Sequence, residues 1–134
     1  MIKYSLSWQE TDVQLLEGLL LATGGEGSAP LQEVLLMADA ADGTVFTQQE
    51  VEQGLEKLMS VGYVAIQNNK LLLTPAFLQD YDEIVGGADG EQMTIMLLLQ
   101  SHELKAEDMD GPKILIKKYK LQNQYQAYLE QFGG

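Results

Sequence analysis

The 134-residue sequence contains no cysteine and no arginine, and it contains one histidine. Without cysteine the chain can form no disulfide and no thiolate metal site, and a reducing, cytoplasmic location is expected. The single histidine, His102, argues against a structural zinc site, because such sites draw on several nitrogen and sulfur ligands. We therefore expect a cytoplasmic protein that holds no metal and no other cofactor.

Long apolar runs are also missing. No run approaches the roughly 20 residues that a membrane-spanning helix requires, and the sequence turns polar early, before the apolar core of a signal peptide could form. The 46% hydrophobic and 21% charged residues fit one globular domain of ordinary size. We expect a soluble protein with no membrane partner.

Positive charge is scarce as well. Eight basic residues, all lysines, stand against 20 acidic ones, which gives a formal net charge of −12. Four of the lysines cluster near the C-terminus, at Lys113, Lys117, Lys118 and Lys120. An acidic chain without the guanidinium group that best reads guanine and grips phosphate disfavours nucleic acid as a partner. The clustered lysines could instead face the acidic surface of the same or of a second subunit.

The stretch from Thr44 to Phe77 carries the clearest local signals. Thr47 and Glu50 have the spacing of a capping box, in which each side chain bonds the backbone N–H of the other residue. Gly62 stands where a left-handed residue would end the helix. Apolar residues recur on one face of a 3.6-residue helix, at Val51, Leu55, Leu58 and Met59. These signals predict a helix over residues 47–61.

A β-hairpin is predicted directly after this helix, over residues 63–73. Residues 63–66 and 71–73 are short apolar runs typical of strands. Asn68 and Asn69 lie between them, and asparagine tolerates the positive φ that a tight turn requires.

This helix and hairpin resemble the recognition helix and wing of bacterial winged helix-turn-helix proteins of the MarR-like and PadR-like type. In such proteins a helix ending in Leu-x-x-x-Gly-Tyr/Leu-Val/Ile leads into a hairpin and then into Leu-Thr-Pro. The matching residues are Leu58, Gly62, Tyr63, Val64, Leu73, Thr74 and Pro75. The resemblance covers roughly residues 7–85 and implies a winged-helix fold. In a dimeric transcription regulator of this type, helix 47–61 and wing 63–73 would contact DNA.

The rest of the first 85 residues fits this order of elements. Helix one is expected to stop at Gly24, the GGEGSAP segment is expected to be a loop, and helix two is expected over 30–42. Residues 45–46 could form a short strand that pairs with the wing. A further helix is predicted over 75–85, because Thr is a good N-cap and Pro is accepted at the first helical position.

A mainly helical C-terminal extension is predicted over residues 91–134, after a Gly-rich break at 86–90. Residues 93–99 are apolar almost throughout, so periodicity does not distinguish a helix from a buried strand, although a cap at Asp89 favours a helix. Residues 113–121 alone could also form a strand. An apolar stripe at helical spacing predicts a homodimer surface made of Ile114, Leu121, Tyr125, Tyr128 and Phe132.

Motifs for catalysis are not found in the sequence. Gly24, Gly25 and Gly27 are not followed by the Lys-Ser/Thr of a phosphate-binding loop. Ser101 precedes His102, but adjacent residues of a helix point in divergent directions and form no nucleophile and base pair. We therefore expect a protein that is not an enzyme.

The outward side of helix 47–61 and the tip of the wing form the candidate partner or DNA surface. It consists of Gln48, Gln49, Glu52, Gln53, Glu56, Lys57, Asn68, Asn69 and Lys70. Glutamine can read adenine, but a surface with more acids than bases cannot supply the attraction to phosphate on which DNA binding rests. The sequence therefore favours an acidic α+β winged-helix protein that acts as a protein-interaction module, with the DNA-binding regulator as the alternative.

Overall fold

The computed structural model describes residues 7–43, 46–85 and 91–133. Within these ranges the protein is an α+β structure, 69% helical, with seven α-helices and one three-stranded antiparallel sheet. None of these helices combines the length and the apolar character needed to cross a membrane. The helices are α1 (Glu10–Thr23), α2 (Leu31–Asp42), α3 (Gln48–Ser60), α4 (Pro75–Val85), α5 (Glu91–Gln100), α6 (Asp110–Tyr119) and α7 (Leu121–Tyr128). The strands are β1 (Ser28–Ala29), β2 (Val64–Gln67) and β3 (Lys70–Leu73).

The first two helices approach each other closely at Gly18. A Cβ atom added at Gly18 would lie 2.7 Å from the backbone oxygen of Val34, which is closer than a side chain tolerates. Glycine inside a helix costs about 1 kcal/mol relative to alanine, and here the close contact between α1 and α2 offsets that cost. As predicted, α1 ends at Gly24, which adopts a φ of 66°.

The predicted ends of α3 are confirmed. The Glu50 N–H donates to Thr47 Oγ1 at 3.1 Å, and the Thr47 N–H donates to Glu50 Oε1 at 2.8 Å. Gly62 follows with a φ of 78°. The apolar face points into the core, where Val51, Leu55 and Leu58 are fully buried. The local sequence therefore fixes both the length of α3 and the face that it buries.

The hairpin predicted over 63–73 forms strands β2 and β3. Asn68 and Asn69 lie at its tip with φ angles of 53° and 61°, and Gln67 pairs with Lys70 on either side of them. Two left-handed residues in succession are the signature of the type I′ turn, whose twist matches that of the strands. The helix predicted after the hairpin is confirmed as α4.

The third strand differs from the prediction. Ser28–Ala29, in the segment predicted as a loop, pairs with β3, so that β3 is the central strand. The strand predicted at residues 45–46 does not form at Phe46, and Val45 lies outside the described residues. Phe46 is buried in the core, and its carbonyl oxygen accepts a hydrogen bond from Tyr125 Oη at 2.5 Å. The buried Phe46 is therefore bonded through its backbone to a side chain of α7 and not to a neighbouring strand.

The C-terminal segment is helical, and the strand alternatives are not observed within residues 91–133. α6 and α7 are separated by Lys120 alone, which adopts a left-handed φ of 60° and turns the chain between them. The predicted Gly-rich break at 86–90 lies outside the described residues.

The C-terminal helices complete the core of the first 85 residues. α5 packs on α1 and α4, α6 packs on α3, and α7 packs on α2. The Tyr119 hydroxyl accepts a hydrogen bond from the Leu31 N–H at 3.2 Å, which satisfies a donor at the first turn of α2. Because Pro30 at the N-cap position has no side-chain acceptor, this long-range bond serves as the cap.

Candidate interaction face

Helix α6 lies between α3 and the hairpin. On one side of α6, Glu52 and Glu56 of α3 line a cavity together with Lys113 and Lys117. On its other side, residues of the hairpin and of α6 line a second cavity, namely Ile66, Asn68, Asn69, Leu115, Lys118 and Tyr119. We call the surface formed by the outer sides of α3, α6 and the hairpin the α6 face.

The apolar side of α6 anchors it. Ile116 and Tyr119 are three residues apart, which places them on one side of the helix, and both are buried. After the turn at Lys120, Leu121 is also buried. The lysines of α6 therefore point away from the core because the neighbouring apolar residues point into it.

The cavity between α3 and α6 has walls of opposite charge and a volume of about 460 Å³. α3 supplies two carboxylates, and the opposite wall supplies three ammonium groups, from Lys113, Lys117 and Lys120. Burial raises the pKa of Glu56, and the nearby charge of Lys113 partly lowers it again. Three of the four clustered lysines thus face acids of their own chain, and Lys118 lies on the hairpin side instead.

The remaining predicted surface residues differ in exposure. Gln49 is exposed, whereas Gln48 is half-buried and its Nε2 donates to Glu52 Oε1 at 3.0 Å. Gln53 is half-buried and lines a polar cavity at the N-terminal ends of α1 and α3. The three predicted residues of the wing, Asn68, Asn69 and Lys70, are exposed.

Lys57 does not belong to this surface, so its predicted outward position is wrong. Its side chain is buried, and its Nζ forms an ion pair with Asp12 Oδ2 at 2.5 Å. The same Nζ donates to the carbonyl oxygen of Ser7 at 3.0 Å and lies 5.9 Å from the centre of the Trp8 ring, within the range of a cation–π contact. Lys57 therefore joins α3 to α1 and to the segment before it.

The reason for this error lies in the neighbouring Gly54. A Cβ atom added there would lie 3.0 Å from Leu15 Cδ2 and 3.1 Å from Asp12 Oδ1, so α1 approaches α3 along this edge. Burial raises the pKa of Asp12, while hydrogen bonds from Lys57 and from the Gln9 N–H act in the opposite direction. A glycine inside the helical pattern was the available signal of close approach.

The predicted dimer stripe packs largely within the chain. Leu121, Tyr125 and Tyr128 are 2%, 9% and 5% exposed, which places them in the core and not on a free surface. Ile114 is 56% exposed, and the Phe132 side chain lies outside the part of the chain that the structure describes. Homodimerisation itself stays a prediction.

A hydrogen-bonded group around Tyr63 is absent from the sequence prediction. Tyr63 Oη donates to Asp80 Oδ2 at 2.8 Å and lies 2.5 Å from His102 Nε2. Because the hydroxyl has one proton, His102 Nε2 must donate to Tyr63. Trp8 Nε1 donates to the His102 carbonyl oxygen at 3.1 Å. Burial, together with Asp80, raises the pKa of Tyr63, so the group joins four chain segments through a hydroxyl that stays protonated.

Within the described residues, no cluster of His, Asp and Glu side chains is placed to hold a metal ion. Comparisons with protein-family models, with curated proteins and with solved structures gave no match. We therefore infer a function from the geometry of the α6 face and of the polar cavity at the N-terminal ends of α1 and α3.

Proposed function

We propose that this protein is a non-catalytic protein-interaction module of the winged-helix type. The observation that carries the proposal is the position of α6, which packs along α3 and beside the hairpin tip. The winged-helix part is supported by α3 leading directly into β2 and β3, with β1 as the third strand. In this arrangement α3 meets a helix of its own chain.

The position of α6 works against base readout by α3. A helix with its side chains is about 10–12 Å wide and fills a major groove about 12 Å wide, which leaves no room for a second helix on the same side. The α3 side that borders α6 carries Glu52 and Glu56, whose charges would repel phosphate. DNA binding through α3 would therefore require α6 to move.

The partner would be a basic protein segment, bound outside the α6 face at the N-terminal ends of α1 and α3. Glu10, Glu50 and Gln53 line a polar cavity of about 320 Å³ there. Asp12 and Lys57 at the same cavity neutralise each other, so Glu10 and Glu50 determine its charge. The net charge of −12 would also steer a basic partner towards the protein.

The alternative is a dimeric DNA-binding regulator of the MarR-like or PadR-like type. It is favoured by Lys118, which lies in one cavity with Asn68 and Asn69 at the hairpin tip, next to the exposed Lys70. In that case phosphate would be contacted by α6 and the wing. The buried Lys57 would contribute nothing.

Fluorescence anisotropy of a labelled mixed-sequence DNA duplex separates the two functions. We expect no binding even at low salt, where phosphate contacts are strongest. Binding that weakens with salt, is lost in Lys118→Glu and persists in Lys105→Glu would overturn the proposal in favour of the regulator. Lys105 is a matched control because it is exposed and lies outside α6.

Titration with a short lysine-rich peptide tests the basic-partner surface directly. The double variant Glu10→Gln/Glu50→Gln should weaken peptide binding about tenfold, since it removes the charge beside the cavity while Gln keeps the capping box. The control Asp82→Asn/Glu83→Gln changes net charge equally on exposed residues of α4. Equal weakening by the two variants would show non-specific attraction and contradict this surface.

A further inference from the structure

The outer side of α6 exposes apolar side chains between charges. Ile114 is 56% exposed and Leu115 is 47% exposed, although both belong to a helix whose opposite side is buried. Asp110, Lys117 and Lys118 are exposed on the same helix. Ile114 therefore forms the apolar patch at the centre of the outer side, whereas Leu115 is turned about 100° away from it and lines the cavity beside the hairpin.

The charges around this patch are self-complementary. Asp110, Ile114 and Lys118 are four residues apart, so they form one row along the helix. Asp110 lies about 6 Å before Ile114 along the axis, and Lys118 lies about 6 Å after it. An identical helix running in the opposite direction would therefore place its Lys118 against Asp110 and its Asp110 against Lys118.

We propose that two copies of this chain associate through antiparallel α6 helices, with a two-fold axis near Ile114. The two Ile114 side chains pack against each other at the axis, and an Asp110–Lys118 ion pair forms on each side of it. This inference goes beyond the proposed function and does not depend on it. It also replaces the predicted stripe of Leu121, Tyr125 and Tyr128, which the core of each chain already uses.

A second copy fits this surface better than another occupant. Along the row from Asp110 to Lys118, a partner of one charge sign would meet a like charge at one end, whereas the same helix reversed places opposite charges at both ends. Gly111 borders Ile114 on the outer side and has open space at its Cβ position, which allows close approach of the second helix. A contact centred on one ten-residue helix is small, so we expect a Kd on the order of 10 µM.

Cysteine cross-linking gives the sharpest test, because the chain has no cysteine of its own. Ile114→Cys would place two thiols at the axis, within reach of a disulfide. Leu97→Cys is a matched control, since Leu97 is 54% exposed on α5. Under mild oxidation at equal concentration, we expect Ile114→Cys to form a covalent dimer at least about tenfold faster than Leu97→Cys. Equal rates of cross-linking for the two variants would overturn the proposed interface between the two α6 helices.

Charge-reversal variants distinguish the specific interface between two α6 helices from a general effect of net charge. Asp110→Lys and Lys118→Asp should each weaken the dimer in sedimentation equilibrium, because each places like charges opposite one another. The double variant restores opposite charges and should regain dimerisation. If net charge alone acted, Asp110→Lys would strengthen association and Lys118→Asp would weaken it.

Two further outcomes would contradict the proposal. The unsubstituted protein should show an average molecular mass that rises with concentration. A protein that stays monomeric up to about 100 µM would overturn the proposed interface. Circular dichroism should show unchanged helix content in the charge variants. If a charge-reversal variant unfolds α6, Ile114→Ser provides the same test without altering charge. An unchanged dimerisation constant in Ile114→Ser would overturn the proposed interface.

Discussion

Helix α3 has a charged contact on each flank, and the two contacts lie in different surroundings. On the inner flank, Lys57 and Asp12 are 2% and 1% exposed. On the outer flank, Glu56 is half-buried and its neighbour Lys113 is exposed at the wall of a cavity. The residue types are alike, so the two contacts differ in burial and in the directness of the pairing.

That difference assigns separate roles to the two flanks. Removing one member of a buried ion pair leaves an uncompensated charge without water, whereas an exposed charge exchanges its partner for solvent at little cost. The contact between α1 and α3 is therefore a fixed part of the fold. The contact between α3 and α6 is more open to solvent, and the proposed contact between two α6 helices lies beside it, whereas the cavity proposed for a basic partner lies beside the fixed contact.

The largest effect is expected from Lys57→Met, which leaves Asp12 buried and unpaired. It should lower the free energy of unfolding by about 3 kcal/mol, measured by urea denaturation. Adding Asp12→Leu should recover part of that loss, because the second substitution removes the stranded charge but also the acceptor for the Gln9 N–H. Lys105→Met is the exposed control and should change stability by less than about 0.5 kcal/mol. A Lys57→Met variant as stable as its control would contradict the structural role of the inner pair.

The same contrast between inner and outer sides applies to α6, where Tyr119 points inward. Burial raises the pKa of Tyr119 to about 12, compared with roughly 10 in an unfolded chain. Because the folded pKa is the higher one, the contribution of Tyr119 is complete below pH ~10 and is lost as the pH rises through ~12. We expect a loss of up to about 2 kcal/mol over that interval.

Tyr119→Phe isolates this contribution from the titration of the lysines. Its stability should fall less steeply with pH than that of the unsubstituted protein, in urea denaturation at pH values from about 9 to 11. Identical slopes would mean that the hydroxyl of Tyr119 is not buried as described.

A smaller effect on stability is expected from substitution of two glycines, one on the inner side of α3 and one on the outer side of α6. Gly54→Ala should cost about 1 kcal/mol, because the new methyl group meets Leu15 and the fixed carboxylate of Asp12, and this outweighs the gain in helix propensity. Gly111→Ala should change stability by less than about 0.5 kcal/mol, because the open Cβ position favours alanine whereas the following Pro112 disfavours a helical residue that has a Cβ atom. Thermal unfolding of the two variants provides the measurement. A larger loss of stability in Gly111→Ala than in Gly54→Ala would contradict this prediction.

The smallest effect is expected on the outer flank of α3. Lys113→Ala should change the free energy of unfolding by less than about 1 kcal/mol, and raising the salt concentration to roughly 0.5 M should reduce the change further. Denaturation at two salt concentrations provides the measurement. A salt-independent loss as large as that of Lys57→Met would mean that the two flanks do not differ.

The elements predicted correctly from sequence are those determined by neighbouring residues. Two local features located α3 and the hairpin from the sequence, namely the capping box at Thr47 and Glu50 and the Asn68–Asn69 turn. Both depend on contacts between residues only a few positions apart. The third strand could not be located, because Ser28–Ala29 pairs with β3 more than 40 residues away and has no periodicity of its own.

The candidate site shows the same limit. The lysines of α6 suggested an electrostatic contact with acidic residues, but the sequence could not say that α6 lies beside α3. The buried position of Lys57 depends on Asp12, 45 residues earlier. The residues next to Lys57 in the sequence do not indicate this distant partner. Long-range partners of polar residues were therefore the part that sequence reasoning missed.

The long-range bonds from Tyr119 and Tyr125 have a consequence for the order in which the protein can fold. They join α6 and α7 to Leu31 and to Phe46, which were synthesised roughly 80 to 90 residues earlier. While the ribosome is still translating α4, the helices α1, α2 and α3 can pack on one another but lack the cover of α5, α6 and α7. We expect the nascent chain to stay open to chaperones until α7 has emerged, so the native core closes only after translation of these last helices.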